Sequence, residues 1–383
     1  MDPNHFDAFT RALTASPTRR AIMSGLAGGM LAAGGPWGPD GEAKKKKKKK
    51  KGGKGKDKGG KGGAVRSGPV FSVNGRDILT PQGNRVLLRG VNKMSVFDEE
   101  DLNGSTYFPE IAKSGSNTVR IVWAINSDRG PTNESQLETL ITNARNAGLL
   151  PMVELHDATG DLSQLPAMVD YWTRRSVVNI INSHSDHVLL NIANECGDDT
   201  VGPNEFIAAY TNAVQRIRQA GIRTPLVIDA PDFGKNLGVL NDSAAALLAA
   251  DPDHNLIFSV HLYWGISDGA GVQFITQNLQ GAASLGYPLI VGEFSKYGAF
   301  NPNGSICAEG GRTDYATILK VTNELQLGWY AWEWGPGNEF GDVGCAVMDM
   351  TTNGKFANLK SGWATEVATS SPYSIKNTSV RIL

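Results

Sequence analysis

The chain has 383 residues, with 37 Lys and Arg against 38 Asp and Glu and only three cysteines. Residues 1–68 hold 16 of the basic residues and 5 of the acidic ones, so the remainder sits near −12. An acidic body argues against nucleic acid as its partner, and Cys196, Cys307 and Cys345 are too few for a disulfide scaffold and lack metal-ligand spacing.

The first 68 residues divide by composition. Ser16-Pro17-Thr18-Arg19-Arg20-Ala21-Ile22-Met23 precedes a small-residue apolar run that ends near Ala33. Paired arginines ahead of a mild hydrophobic segment read as a twin-arginine export signal over residues 1–35, against a chance Arg-Arg in a tail. The run is too short for a membrane span. Lys44–Lys51 is unbroken lysine, continuing as Gly/Lys to about Gly63. Such a block repels itself and buries nothing, so residues 36–68 are expected to be a disordered linker: a solvated spacer, a tether to an anionic surface, or a nucleic-acid binder that export would leave idle.

The folded domain is expected over residues 69–383. Phe71–Leu79 alternates around Asn74-Gly75 and, with a second turn at Pro81–Asn84, predicts a small hairpin at the bottom of the domain. Val86–Asn92 then reads as the first core strand. Further strands are expected at 118–123, 150–156, 188–194, 226–229, 256–263, 289–294 and 329–334. Helical spacing is read at 136–147, 168–181, 204–220 (with Asn204 as cap), 243–250, 272–285 and 313–325. Eight apolar strands with helices between most of them predict an α/β fold, a single (β/α)8 TIM barrel. A doubly wound sheet is the alternative, but no Gly-rich phosphate loop follows the first strand. The Ser/Thr-rich tail from about Thr369 is expected to wrap the barrel exterior.

In such a barrel the chemistry sits at the C-terminal strand ends. Those ends carry Arg120, His156, Asn194 with Glu195, Asp229, His261 with Tyr263, Glu293, and Trp332 with Trp334. Two buried strands each ending in a glutamate suggest paired carboxylates facing one cleft, the requirement for glycosidic bond cleavage. A lone polar strand end is usually structural; their concentration on one face favours a site.

Several motifs occur in order: "RGVN" at 89–92, "NTVRIVW" at 117–123, "MVELHDATG" at 152–160, "NIANE" at 191–195, "VIDAP" at 227–231, "FSVHLYW" at 258–264, "PLIVGEF" at 288–294 and "AWEWGPGN" at 331–338. From about Phe71 to Trp363 the chain resembles glycoside hydrolase family 5, and within it the bacterial endo-β-1,4-mannanase branch. The resemblance implies Glu195 as acid/base and Glu293 as nucleophile. Arg120 and Tyr263 would keep Glu293 ionised, and Glu195 would hold its proton in apolar, like-charged surroundings. Asn194 would bond the sugar 2-hydroxyl, His156 and His261 would hold substrate and tune the carboxylates, and Trp332 would be the aromatic floor. Trp334 either extends that floor or packs.

The expected partner is a β-1,4-linked polysaccharide, with neither cofactor nor metal and with the enzyme a secreted monomer. Two departures stand out: Cys196 follows the acid/base position where the family commonly has Pro, and Lys93-Met94-Ser95-Val96 stands where the mannanase branch often carries His. An endo-β-1,4-glucanase with the same mechanism, a non-catalytic carbohydrate-binding barrel, and a metal hydrolase using His156, Asp157, Asp229 and His261 are the rival readings. Cys307 and Cys345 flank the last strand and are candidates to pair. Cys196 reads as a small buried residue rather than a reactive thiol.

Overall fold

The structure is a computed structural model that describes residues 70–98, 100–127, 130–298, 311–337 and 345–383. The expected export signal, the lysine tract and Cys307 lie outside the described residues. Strands β1 (Ser72–Asn74), β2 (Asp77–Leu79) and β3 (Arg85–Val86) form the expected bottom hairpin, extended to three antiparallel strands. Gly75, at φ +56°, supplies the left-handed residue of the first turn. There follow β4 (Arg89–Lys93), β5 (Thr118–Trp123), a small ribbon of β6 (Asn126–Ser127) and β7 (Gly130–Pro131), and then β8 (Leu150–Leu155). The remaining strands are β9 (Leu189–Asn191), β10 (Leu226–Asp229), β11 (Leu256–His261), β12 (Leu289–Glu293) and β13 (Gly328–Ala331). Strands β4, β5 and β8–β13 pair in parallel in chain order, and β13 closes on β4, making a TIM barrel.

The bore is layered by the two-residue period of its strands. At the bottom, Leu88, Leu150, Met152, Leu189, Val227, Ile257, Ile290 and Tyr330 meet Phe71, Ile78 and Val86 of the hairpin in one apolar cluster. Each such side chain stabilises the fold by about 1.5–3 kcal/mol when buried. One step higher on the same faces stand Glu154, Asn191, Asp229, Ser259, Gly292 and Trp332, joined by Asn92 and Arg120. A dry floor thus carries a polar layer, and the layer forms the site. Gly292 is required there: a Cβ would lie 2.3 Å from Ser259 Oγ and 2.7 Å from His261 Nε2.

The outer helices bury one face against the strands. Glu134–Asn146 buries Leu137, Leu140, Ile141 and Ala144, and its cap Asn133 accepts from Ser135 N. The helix expected at 168–181 is two, Leu165–Trp172 and Arg175–Ser183, because Arg174 is extended at ψ 134°. The helix expected to be capped by Asn204 starts one residue earlier, with Pro203 at its first position and Gly202 as cap. Leu237–Ala250 begins six residues before the expected 243, and the sequence reading had no helix at Tyr107–Lys113. The tail packs back on the barrel: Arg89 Nε donates to Thr378 Oγ1 at 2.9 Å, and Asn117 Nδ2 donates to Val380 O at 2.8 Å. No helix among the described residues is long and apolar enough to cross a membrane.

Candidate active site

Glu195 follows the fourth barrel strand and Glu293 ends the seventh. A carboxylate oxygen of each lies within 4.8 Å of the other and of a His261 ring nitrogen. Strand β9 stops at Asn191, short of the expected Asn194, so Asn194 and Glu195 stand in the turn above it. Glu195 is left-handed at φ +47°, a conformation a glutamate adopts only when its surroundings impose it. Here Gly160 N donates to Glu195 O at 2.8 Å, and Glu195 N donates to Asp229 Oδ2 at 3.2 Å.

The two carboxyl groups have different neighbours. Glu293 Oε1 accepts from Arg120 Nη1 at 2.7 Å, and its Oε2 accepts from the Tyr263 hydroxyl at 2.8 Å. Glu195 Oε1 meets only an imidazole, His261 Nδ1, at 2.7 Å. Burial and the charge of Glu293 hold the Glu195 carboxyl above its usual range, against the pull of His261. Burial also opposes charging of His261, but Glu293 and Asp229 outweigh it and push the imidazole up to about 10. His261 Nε2 stands 3.6 Å from Asp229 Oδ2, an ion-pair contact longer than a hydrogen bond. Asp229, despite its burial, is lowered to about 2 by His261 and Arg120.

Arg120 organises the layer. Its guanidinium donates to Asn92 Oδ1 (3.0 Å), Asn191 Oδ1 (2.8 Å), Asn194 Oδ1 (2.7 Å) and Asp229 Oδ2 (3.2 Å) besides Glu293. It is fully buried, as is His261. Both contact the glutamates directly, Arg120 at Glu293 and His261 at Glu195. Asn194 spends its oxygen on Arg120 and one amide hydrogen on Thr159 Oγ1 at 2.8 Å, leaving one N–H. His156 is the most open of these groups, at 14% side-chain exposure. Its ring lies nearly parallel to Trp332, centroids 6.1 Å apart, with Phe97 edge-on at 6.3 Å.

Of the two alternatives for Trp334, packing is the one its contacts support. The last strand ends at Ala331, so alternation does not carry past Trp332. Trp334 is fully buried, and its indole donates to Gly354 O at 2.7 Å. It packs the wall and adds nothing to a substrate floor.

The sequence reading passed over Glu154, Asn92, Asn191 and Phe97. Glu154 is buried and bonds His156 Nδ1 at 2.9 Å; burial raises its carboxyl while His156 and Arg120 pull it down. The signal was present, since Glu154 shares the inward face of Leu150 and Met152.

The metal reading does not hold geometrically. Asp157 accepts from Ile125 N and His156 pairs with Glu154, away from the facing pair of His261 and Asp229, so the four proposed ligands do not converge. Among the described residues only Glu195, His261 and Glu293 have ligand atoms close enough together, and Arg120 already places a cation against Glu293. Cys196 is free and buried, and burial pushes its thiol up, as expected of an inert packing residue. Cys345 is disulfide-bonded.

A closed barrel whose polar layer presents two close carboxyl groups in unlike surroundings defines the class of (β/α)8 glycosidases. The cellulase model of glycosyl hydrolase family 5 matches residues 79–338. The chain belongs to that family and is a glycoside hydrolase. It is 30% identical over 269 residues to a mannan endo-1,4-beta-mannosidase of Salipaludibacillus agaradhaerens, covering 69% of this chain and 81% of that one. It is 29% identical over 295 residues to a mannan endo-1,4-beta-mannosidase of Cellvibrio japonicus, covering 76% of this chain but only 64% of the relative's length. A Thermomonospora fusca beta-mannanase solved as a mannotriose complex superposes with TM-score 0.69 at 27% identity, covering 82% of this chain and 98% of the other.

Proposed function

We propose that the enzyme is an endo-acting β-1,4-mannanase that cleaves with retention of configuration. The observation that carries the mechanism is the closeness of the two carboxyl groups. Oxygens within 4.8 Å fit the ~5–5.5 Å spacing of retaining enzymes and fall short of the ~6.5–9.5 Å spacing by which inverting ones make room for a water between the carboxyls. Glu293, accepting hydrogen bonds from Arg120 and Tyr263, is the nucleophile. It attacks the anomeric carbon as the glycosidic bond breaks, and Glu195 gives its proton to the departing oxygen. Glu195 then takes a proton from the water that hydrolyses the glycosyl-enzyme. Burial of Glu195 suits it to both steps. Asn194 retains one N–H for the sugar 2-hydroxyl, and Trp332 and His156 form the ring surface beside the reacting sugar.

The mannan preference rests on the similarity to mannan endo-1,4-beta-mannosidases. The loop after the first barrel strand supports the second reading, an endo-β-1,4-glucanase, because Lys93–Val96 replaces the expected histidines. We read residues 1–35 as a twin-arginine export signal, residues 36–68 as a linker whose lysines suit an anionic surface, and the enzyme as a secreted monomer.

The test is sugar release from galactomannan, glucomannan and a soluble cellulose derivative by residues 69–383, with Glu195→Ala and Glu293→Ala as controls. Nuclear magnetic resonance of the first-formed anomer reports stereochemistry. Mannan cleavage with retention, lost in both variants, is expected. Activity confined to glucose polymers overturns the substrate, and an inverted first product overturns the mechanism.

A further inference from the structure

The most unusual buried charges outside the catalytic layer lie at the seam where the eighth barrel strand meets the first. Lys93 ends β4 and is 1% exposed; Glu333 follows Trp332 and is wholly buried. Lys93 Nζ donates to Pro336 O at 2.9 Å, pairs with Asp98 Oδ2 at 2.8 Å and lies 3.7 Å from Glu333 Oε2. Glu333 Oε2 in turn accepts from Met94 N at 2.8 Å. The contacts are reciprocal. A side chain from the first strand holds the backbone of the eighth-strand loop, and a side chain from that loop holds the backbone of the first.

We propose that Lys93 and Glu333 form a two-way clasp that fixes Trp332 against the reacting sugar, making both of them positioning residues for cleavage. The proposal rests on the assignment of Trp332 to the sugar platform.

Three observations carry it. First, regular pairing of the two strands stops at Ala331 opposite Val91, one residue before Trp332. Beyond that point Trp332 N has Phe294 O at 2.8 Å and Trp334 N has Asn92 O at 3.0 Å, and the clasp supplies the direct side-chain ties between the two loops. Second, Glu333 meets Met94 N and Lys93 while the adjacent Trp332 lies against His156, so anchoring the carboxyl holds the indole at that ring. Third, the loop folds over the carboxyl with no slack. A Cβ on Gly337 would stand 1.8 Å from Glu333 Oε1, so this glycine is what admits the glutamate. Clasp and catalytic layer are otherwise separate: Lys93 faces outward over the Tyr107 ring, 5.3 Å from its centroid.

The clasp needs an acceptor at Glu333, not a particular charge. Glu333→Gln keeps an oxygen for Met94 N, whereas Glu333→Leu does not. On whichever polymer the wild type cleaves, Glu333→Leu is expected to lower kcat by about 10- to 100-fold, the scale of an ångström-level misplacement. Glu333→Gln should stay within about twofold of wild type. In a Trp332→Phe background, Glu333→Leu should cost less than about twofold more, because the part it positions is already altered. If Glu333→Leu does not fold, Lys93→Met with Asp98→Asn opens the other half of the clasp without leaving an unpaired buried aspartate, and the same loss and the same non-additivity are expected. Equal losses in both backgrounds, equal behaviour of the Gln and Leu variants, or full kcat in the Lys93/Asp98 double variant overturns the clasp alone. A wild type that cleaves polymer while Trp332→Phe keeps full kcat overturns the platform assignment beneath it.

Discussion

Replacing Arg120 is the most direct test of how the site is built. The residue is fully buried and its guanidinium reaches three asparagine oxygens and two carboxylates, with Glu154 a further 3.9 Å contact. Burial opposes its charge, but Glu154, Asp229 and Glu293 outweigh that and hold the proton more tightly than usual. Arg120→Met removes the cation and leaves those carboxylates facing one another. Breaking a buried pair by deleting one partner costs about 3–5 kcal/mol. A domain of about 314 residues has an unfolding entropy near 0.65 kcal/mol/K, so the melting temperature should fall by roughly 5–8 °C. Activity should fall further. Glu293 loses the donor to Oε1 and Asn194 loses the donor to its oxygen, so a loss of at least ~100-fold in kcat is expected. Arg120→Lys keeps a charge but cannot span five acceptors, and should recover stability more than rate. Melting by calorimetry and initial rates on soluble polymer read both effects. An Arg120→Met enzyme with wild-type melting and wild-type kcat would show that neither the carboxylates nor Glu293 depends on it.

Two further outcomes follow from the same geometry. Burial raises Glu333 to about 8 and Asp349 adds to this, while Lys93 opposes it. A carboxyl whose folded pKa lies above its unfolded value stabilises the fold below the unfolded pKa, near 4.5, and that contribution is lost as pH rises through 8; its full size is up to about 5 kcal/mol. Glu333→Gln cannot titrate, so its melting temperature should gain on wild type between pH 5 and 9, and parallel curves would refute the assignment. The two tryptophans should separate: Trp334→Phe leaves Gly354 O without its indole donor and should lower melting more than kcat/KM, whereas Trp332→Phe should lower kcat/KM at nearly unchanged melting. Reversed effects would return Trp334 to the substrate floor.

Much of the barrel was legible because buried parallel strands are apolar runs and outer helices are periodic. Thr118–Trp123 and Leu226–Asp229 end where the pattern says. The first strand runs one residue past the expected Asn92, and the other five were read too long at their C-terminal ends. Asn194, Tyr263 and Trp334 continue a strand-like pattern, yet the backbone leaves the ladder before each of them to build the cleft. Helix Tyr107–Lys113 was missed because it is seven residues long, contains Pro109 and lacks a side-chain cap, since Thr106 makes no capping bond. Glutamates and aromatics at strand ends identified the chemistry. The support beneath them did not show, because Asn92, Glu154 and Asn191 acquire meaning only when the closed barrel gathers them around Arg120. Lys93 and Glu333 lie 240 residues apart in sequence, so their clasp is a product of barrel closure.

The same layering explains how one cavity gives two glutamates opposite tasks. Glu293 belongs to a strand and is reached by donors from β5 and from the segment after β11, positions fixed by the sheet. Glu195 stands in a turn, held by backbone contacts to Gly160 and Asp229, and its carboxyl meets one imidazole. The carboxyl we propose as nucleophile is thus built into the rigid wall. The carboxyl we propose as acid/base, which would give up one proton and take one back in each cycle, is placed above it, where one imidazole faces it. Both positions hold glutamate, so it is the surroundings, Arg120 and Tyr263 at Glu293 and His261 at Glu195, and not the residue type that set the two carboxyls apart.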